Sequence, residues 1–468
     1  MHYAHLINPY TVLKKVGTVA DQLQLSAYVV GGFVRDLLLK RPSQDIDIVC
    51  LGNGIGLAEA VAEHLEDCSP VTVFKNFGTA MLHWQGWKLE FVGARKESYR
   101  RNSRKPRVEA GTLTEDQYRR DFTINAIAIG LHRPQWGELV DVLGSLQDLQ
   151  QRVLRTPLDP EVTFSDDPLR MMRAIRFATQ LQFTIQDDAL RAIRKNADRI
   201  QIVSQERITD EIHKIMRSPS PGQGWQLLEK TALLPRILPE LAALQGKETI
   251  RGHSHKDNFY HTLQVVDNVA QVTDNLWLRW AALLHDIAKP LTKRFDPITG
   301  FSFHGHEELG GRMVPAIFRR MKLPMKKHMP YVQKLVRLHL RPIVIAQDIV
   351  TDAAVRRLIA EAGDALPDLM ILCRADITSS NPVRVRQYLQ NFDKVESKVQ
   401  ALRSKDYIRN FQPVISGEVI MQAFHLQPGK VVGEIKADIK EAMLAGHIDN
   451  EYEEAYAYML TLGKAKGL

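Results

Sequence analysis

Ala27-Tyr28-Val29-Val30-Gly31-Gly32-Phe33-Val34-Arg35-Asp36, followed by Asp45-Ile46-Asp47, is the stretch that decides the reading of this chain. Ala27–Val30 is a short β-prone run; two glycines break it, and a helical stretch continues through Leu39. Glycines let a backbone come close to an anion, and a helix start offers unpaired N–H groups and positive dipole. Ile46, Ile48 and Val49 mark a second strand. Side chains alternate faces along a strand, so Asp45 and Asp47 project to one side while Ile46 turns inward. Two carboxylates a pleat apart repel unless a cation lies between them, and Mg²⁺, which demands octahedral oxygen ligands, suits that position. A glycine turn feeding a helix that carries Arg35, with the acidic pair beyond it, is an arrangement for nucleotidyl transfer. Gly31, Gly32 and Arg35 would grip a triphosphate while metal ions bridge its phosphates and the attacking hydroxyl.

Outward from this stretch, the 468 residues are enough for about three domains. With 44% hydrophobic and 25% charged residues the composition is globular, which excludes disordered, collagenous and fibrous classes. A net charge of +8 permits a nucleic-acid partner. Cys50, Cys68 and Cys373 are widely spaced with no CxxC, excluding a disulfide framework and a thiolate zinc site. No run approaches about 18 apolar residues, and Met1-His2-Tyr3-Ala4-His5 lacks a signal peptide's basic and apolar regions. A soluble, cytoplasmic protein without a membrane partner is expected. Met81-Leu82 and Leu89–Val92 add two strands around a turn at Gly86. From about Leu154 the apolar spacing becomes helical, with breaks at Ser218–Gly222 and Gly246–Gly252 and a polar stretch near Arg403–Asn410.

Ser165-Asp166-Asp167-Pro168-Leu169-Arg170-Met171-Met172-Arg173-Ala174-Ile175-Arg176-Phe177 carries a second chemistry. Asp167 and Arg170, at i and i+3, are expected on one helical face. A carboxylate accepts from an exocyclic amine and a guanidinium donates to the neighbouring ring acceptor. Cytosine and adenine both offer that pair, whereas uracil and guanine present a carbonyl in place of the amine. One Asp–Arg pair can therefore take CTP and ATP and reject UTP and GTP. Arg95–Arg107 reads as a dense basic loop with Tyr99, suited to RNA phosphates or to a lid.

Downstream, Leu284-His285-Asp286-Ile287-Ala288-Lys289-Pro290 sits in an apolar helical stretch. Adjacent His and Asp can share a metal, and His261, His306, His339 and Asp376 are candidates to complete one or two sites. Mixed imidazole and carboxylate ligation suits Mn, Ni, Fe or Zn.

The chain resembles two known families. Gly31–Asp36 with Asp45-Ile46-Asp47 is similar to the head motif of class II nucleotidyltransferases of the polymerase β superfamily, which include bacterial CCA-adding enzymes and poly(A) polymerases. Arg119-Arg120-Asp121-Phe122-Thr123-Ile124-Asn125-Ala126 resembles that family's RRDFTxNA motif. Asp141-Val142-Leu143-Gly144 with Asp148-Leu149 resembles its D-P-x-G-G-x-x-D-L segment, lacking the proline and one glycine. Asp166 to Arg170 resembles its base-selecting E-D-x-x-R, with Asp166 in place of Glu. The resemblance implies Glu90 as a third catalytic carboxylate. It also implies Arg120, Asp121, Asn125, Asp167, Arg170, Arg173 and Arg176 at the nucleotide. In members that add the terminal A, a basic-x-Asp-Arg pattern stands where this chain has Arg101-Asn102-Ser103-Arg104, so addition of all or part of CCA stays open. The order H…HD…H…H…D resembles the HD phosphohydrolase superfamily, implying phosphatase or 2′,3′-cyclic phosphodiesterase activity, with His306 rather than His304 as ligand. Ile415–Gly433 resembles the tail of members that carry an HD domain.

The fold implied is an α/β head with a small mixed sheet over residues 1–150, then an all-α neck (151–245), an HD domain (246–395) and a helical tail contacting tRNA (396–468). The activity implied is addition of C and A from CTP and ATP to tRNA 3′ ends. A poly(A) polymerase, or an HD phosphohydrolase with a non-catalytic RNA-binding head, are the alternatives.

Overall fold

A computed structural model describes residues 2–75, 78–100, 103–347, 351–378, 381–405 and 413–468. The chain forms two compact units, Met1–Leu238 and Pro239–Leu468.

In the first unit, strands β1 (Ala27–Val30), β2 (Asp45–Cys50), β3 (Thr72–Phe74), β4 (Thr79–Trp84), β5 (Trp87–Gly93), β8 (Ala128–Gly130) and β9 (Leu139–Val140) form one mixed sheet, ordered β3-β4-β5-β2-β1-β8-β9. Only β2 and β5 run parallel within it; the other neighbours are antiparallel. The turn at Gly86 and both flanking strands lie where the sequence places them. Val29, Val30, Ile46, Ile48 and Phe91 are fully buried, so the alternation expected around Ile46 is realised.

The basic segment is not a loop. Arg95–Arg100 (β6) and Ser103–Ala110 (β7) pair antiparallel as a separate ribbon, with Lys96 opposite Glu109. A two-stranded ribbon satisfies its backbone across the pair and leaves charged side chains in water, so charge density alone did not preclude strands. Arg101 and Asn102, and the side chains of residues 97–107, lie outside the described residues, as do residues 406–410 of the later polar stretch.

Beyond the sheet the unit is helical. Pro160–Asp166 and Leu169–Leu181 are separate helices, and Leu169–Leu181 packs against Gln205–Met216 and Pro221–Lys230. Its buried side is Leu169, Met171, Met172, Ile175, Phe177 and Ala178, leaving Arg170, Arg173 and Arg176 as a stripe every third residue.

The second unit is helical, with short ribbons Thr249–Ile250/His253–Ser254 and Arg294–Asp296/Gly300–Ser302. Helices Asn258–Val272, Leu276–Leu284, His306–Arg320, His328–Leu338 and Leu366–Asp376 pack around an apolar core that includes Trp280, Phe259 and Phe318. The final helices, Gly417–Phe424, Lys430–Ala445 and Tyr452–Ala465, close over their own cluster of Ile420, Ile435, Ile439, Met443 and Met459.

Candidate functional site

The parallel ladder between β2 and β5 sets Asp45 opposite Lys88 and Asp47 opposite Glu90. Directly paired residues share a face, so all three carboxylates project from the same side of the sheet. Their oxygens do not converge on one point as a close triad. The Lys88 ammonium lies between them, 4.0 Å from Asp45 and 3.8 Å from Glu90. Burial pushes the Asp47 carboxyl up, against the pull of Arg120 and Lys88. Burial and then the charge of Asp47 push Glu90 up as well.

Gly31 leaves β1 with φ of 77° and ψ of −142°, a conformation open to glycine alone. A Cβ there would stand 2.8 Å from Asp47 Oδ2 and 3.3 Å from Arg120 Nη1. The turn, Asp47 and one guanidinium thus meet at a single point. Arg120 is held there by Asp116, a fully buried carboxylate that also pairs with Arg119, at 2.9 and 2.6 Å.

Three other arginines on this side of the unit are each held by protein partners. Arg35 donates from Nε and Nη2 to the Asp36 carboxylate, at 2.9 and 2.8 Å, and from Nη1 to Asn125 Oδ1 at 2.7 Å. Asn125 Nδ2 donates to Asp121, whose other oxygen accepts from Arg173 Nε at 2.6 Å. Arg176 Nε lies 2.5 Å from Glu211 in a pair almost wholly enclosed by protein. The guanidiniums of Arg35, Arg173 and Arg176 stand 5.0, 5.3 and 3.9 Å from the centre of the Phe177 ring. Asp36–Arg35–Asn125–Asp121–Arg173 is therefore a continuous polar chain from the glycine turn to helix Leu169–Leu181. Burial alone would raise Asp121; Arg173, Asn125 and Arg170 outweigh it and hold the carboxyl well below the usual range.

Asp167 and Arg170 do not share a helical face. Asp167 is extended, φ −129° and ψ 97°, because the following Pro168 disfavours the helical conformation before it. Its Oδ1 accepts from Leu169 N at 3.2 Å, and Arg170 Nη2 donates to the carbonyl of Arg119 at 2.6 Å. Among the described residues no ion pair joins the two, so they are not an ordinary surface salt bridge. Arg170 is tied instead to the segment that carries Arg120.

In the second unit Asp286 is buried at the centre of a histidine cluster. Its Oδ2 lies 3.2 Å from His285 Nε2 and 3.6 Å from His261 Nε2; its Oδ1 lies 3.2 Å from His306 Nε2 and 3.8 Å from His339 Nε2. Asp376 Oδ1 is 2.9 Å from His261 Nε2 and 3.5 Å from His285 Nε2. The HD pair is not inside a helix: Leu276–Leu284 stops at Leu284, and His285 caps it. His306 opens its helix after Gly305, whose φ of 78° turns the chain there, and His304 is exposed.

Each ring is held by its other nitrogen. His285, His306 and His339 set Nδ1 2.7 Å from the carbonyls of Ala282, Phe303 and Val336, and His261 Nδ1 is 2.9 Å from Thr378 Oγ1. A carbonyl can only accept, so in His285, His306 and His339 Nδ1 carries the hydrogen and Nε2 of the neutral ring is an acceptor. The Nε2 atoms of His285, His306 and His339 are buried without a hydrogen-bond partner. Two groups that could hold a metal ion result, His261-His285-Asp286 and Asp286-His306-His339, with Asp286 common to both. Burial lowers the His285 imidazole, but Asp286 and Asp376 outweigh it and lift it to about 10; burial and then His285 hold His339 at about 4. Lys289 Nζ stands 2.5 Å from Asp286 Oδ2.

The sequence reading passed over Asp116, Glu211, Lys289 and Thr378. For Asp116 and Lys289 a signal existed, an opposite charge three or four residues away on the next turn; Glu211 has such a local partner in Lys214, but it meets Arg176, as Thr378 meets His261, only through the fold.

Residues 27–155 match the family profile for the poly(A) polymerase head domain, 182–245 that for a probable RNA and SrmB binding site of polymerase A, and 258–381 the HD domain. Over 453 residues, 93% of each chain, the protein is 31% identical to the CC-adding tRNA nucleotidyltransferase of Thermus thermophilus. It is 36% identical over 360 residues to the A-adding tRNA nucleotidyltransferase of Deinococcus radiodurans, covering 74% of this chain and 79% of that one. The fold matches the Thermotoga maritima CCA-adding enzyme complexed with tRNA, with TM-score 0.63 and 20% identity over 98% of each chain. A tRNA nucleotidyltransferase crystallised with a primer tRNA and an incoming ATP analogue gives TM-score 0.57 and 26% identity, over 82% of this chain and 99% of that one. The mixed head sheet, the helical units and these relatives agree: the chain belongs to the tRNA nucleotidyltransferase family.

Proposed function

We propose that this protein adds C and A residues, as CCA or part of it, from CTP and ATP to the 3′ end of tRNA without a nucleic-acid template. The observation that supports this most is the register that sets Asp47 beside Glu90, with Asp45 on the same face and the Gly31 turn and Arg120 against Asp47. Asp45 and Asp47 would hold Mg²⁺, with Glu90 as the third acid; oxygen-only donors on one face fit a hard cation. When bound, the ion screens the triphosphate and favours the ionised form of the RNA 3′ hydroxyl. The Gly31 turn brings backbone N–H groups to the phosphates, and Arg120 adds positive charge beside them. Asp167 accepts the exocyclic amine of cytosine or adenine, and Arg170 donates to the adjacent ring acceptor. Arg35, Asn125, Asp121 and Arg173 keep the base-selecting segment aligned with the turn.

Relatives that are named for adding A, CC and the whole of CCA all match this chain. The deciding experiment supplies tRNA transcripts ending at the discriminator base, in C or in CC, with single labelled triphosphates, and reads the products on a sequencing gel. One to three additions support the reading; continued adenylation would instead indicate a poly(A) polymerase, and no incorporation would refute it.

A second activity is favoured by the partnerless Nε2 atoms of the histidine cluster. We read it as a metal-dependent phosphohydrolase or phosphodiesterase holding a transition metal among Mn, Ni, Fe and Zn, because the mixed donors and locked tautomers suit one. The four-part division into head, neck, HD and tail follows from the same reading. No helix among the described residues is long and apolar enough to cross a membrane. A cytoplasmic setting agrees with three free thiols.

A further inference from the structure

The face that carries the three head acids also carries one base. The β2–β5 ladder sets Lys88 opposite Asp45, as it sets Glu90 opposite Asp47, so four ionisable side chains share one side of the sheet. The Lys88 ammonium stands 4.0 Å from Asp45 Oδ1 and 3.8 Å from Glu90 Oε2, while its backbone N–H donates to the carbonyl of Gln44 at 2.9 Å. Burial raises the carboxyls of Asp47 and Glu90, and Lys88 opposes that rise in both. Arg120 also faces Asp47, but the two cations differ in freedom. Arg120 is clamped by the fully buried Asp116 at 2.9 Å. Lys88 keeps 39% of its side chain in solvent on a flexible stem, and the carboxylates of Asp45 and Glu90 are themselves 75% and 44% exposed. Ion pairs as open as these are worth little, so this ammonium can be exchanged at small cost.

We propose that Lys88 is the resident counter-cation of the acidic site: it offsets the charge of Asp45 and Glu90 while no metal is bound, and a divalent ion enters by displacing it. Lys88 is then a positioning residue that sets how much Mg²⁺ the head requires, and is a ligand of neither ion nor nucleotide. The proposal rests on the reading that Asp45 and Asp47 hold the ion. One unit charge within a few ångström of a divalent ion, in a largely solvated site, alters binding by about tenfold. The sign distinguishes this role from a phosphate contact. Removing a counter-cation tightens metal binding, whereas removing a phosphate-binding lysine weakens nucleotide binding.

The test titrates Mn²⁺, without nucleotide, into full-length wild type, Lys88→Met, Lys88→Gln, Lys88→Arg and Asp45→Ala/Asp47→Ala, reading free ion by electron paramagnetic resonance. Sites lost in the double variant are those of the head, and the histidine cluster is common to all five proteins. Lys88→Met and Lys88→Gln should tighten the head sites by about tenfold and lower the Mg²⁺ needed for half-maximal single-turnover incorporation by a similar factor. Lys88→Arg keeps the charge and should stay within about threefold of wild type. Head-site affinity that is weaker, or unchanged within about twofold, in the Met and Gln variants would overturn the role of Lys88, as would equal tightening in Lys88→Arg. A double variant that binds as many ions as wild type would overturn the reading of Asp45 and Asp47 as ligands, and the proposal with it.

Discussion

Asp47 and Glu90 are partners in the parallel ladder between β2 and β5, two acids brought side by side by strands more than forty residues apart in the chain. Both carboxyls are pushed up, by burial and, for Glu90, by the neighbouring Asp47. Such a pair is costly in an empty sheet and useful around a cation. Glu90→Gln keeps the shape and removes one charge; nucleotide incorporation should fall about 10- to 100-fold with the thermal midpoint unchanged or raised. Single-turnover incorporation beside a melting curve checks it.

Gly31→Ala should reduce incorporation more than stability. The backbone conformation costs an alanine about 1–3 kcal/mol, and the new Cβ presses on the Asp47 carboxylate. A variant with wild-type activity would show that the turn does not approach the triphosphate.

Asp167→Ala and Arg170→Ala should each lower incorporation of CTP and ATP and narrow the preference over UTP and GTP by about tenfold or more, since the unpaired carbonyl is no longer rejected. Competition between labelled triphosphates on one tRNA measures this directly. Loss of rate with preference intact would assign the pair to positioning alone.

Asp121→Asn tests the polar chain from the glycine turn to the neck helix. Arg173 keeps a third of its side chain in solvent, so the loss should be about 2–3 kcal/mol rather than that of a fully enclosed pair. The folded carboxyl is depressed, so its contribution is complete above the unfolded value of about 3.9 and disappears as pH falls below that. Wild type should therefore lose its advantage over Asp121→Asn in acid, read as converging urea midpoints.

His285→Ala and His306→Ala should abolish phosphohydrolysis and lower bound metal by elemental analysis, while tRNA incorporation continues. The two substitutions strike different donor groups that share Asp286, so a protein carrying two ions should lose a different one in each.

Local pattern carried much of this into view. The Ala27–Val30 strand, the glycine turn and the Asp45-Ile46-Asp47 alternation depend on neighbours in sequence and are found as read. The side-by-side placement of Asp47 and Glu90 depends on a parallel pairing that no local pattern specifies, so Glu90 was legible only through resemblance. That Asn125, Asp121 and Glu211 engage Arg35, Arg173 and Arg176 was not legible, because these partners arrive from elsewhere in the fold. Pro168 was a visible signal that Asp167 would leave the helix, and the i, i+3 spacing overrode it. The ribbon at Arg95–Ala110 was obscured by the density of charge in its sequence. In the HD unit the order of the His and Asp residues that cluster was legible, whereas the carbonyls that hold His285, His306 and His339 follow from where helices begin and end.

The central claim is that the acids on β2 hold the ion needed for nucleotide addition. It is tested most directly by single-turnover incorporation of labelled CTP and ATP into tRNA lacking CCA, comparing wild type with Asp45→Ala/Asp47→Ala in excess Mg²⁺. The account predicts loss of incorporation by about a thousandfold or more, with bis(p-nitrophenyl) phosphate hydrolysis retained. Incorporation at the wild-type rate in the double variant would contradict it.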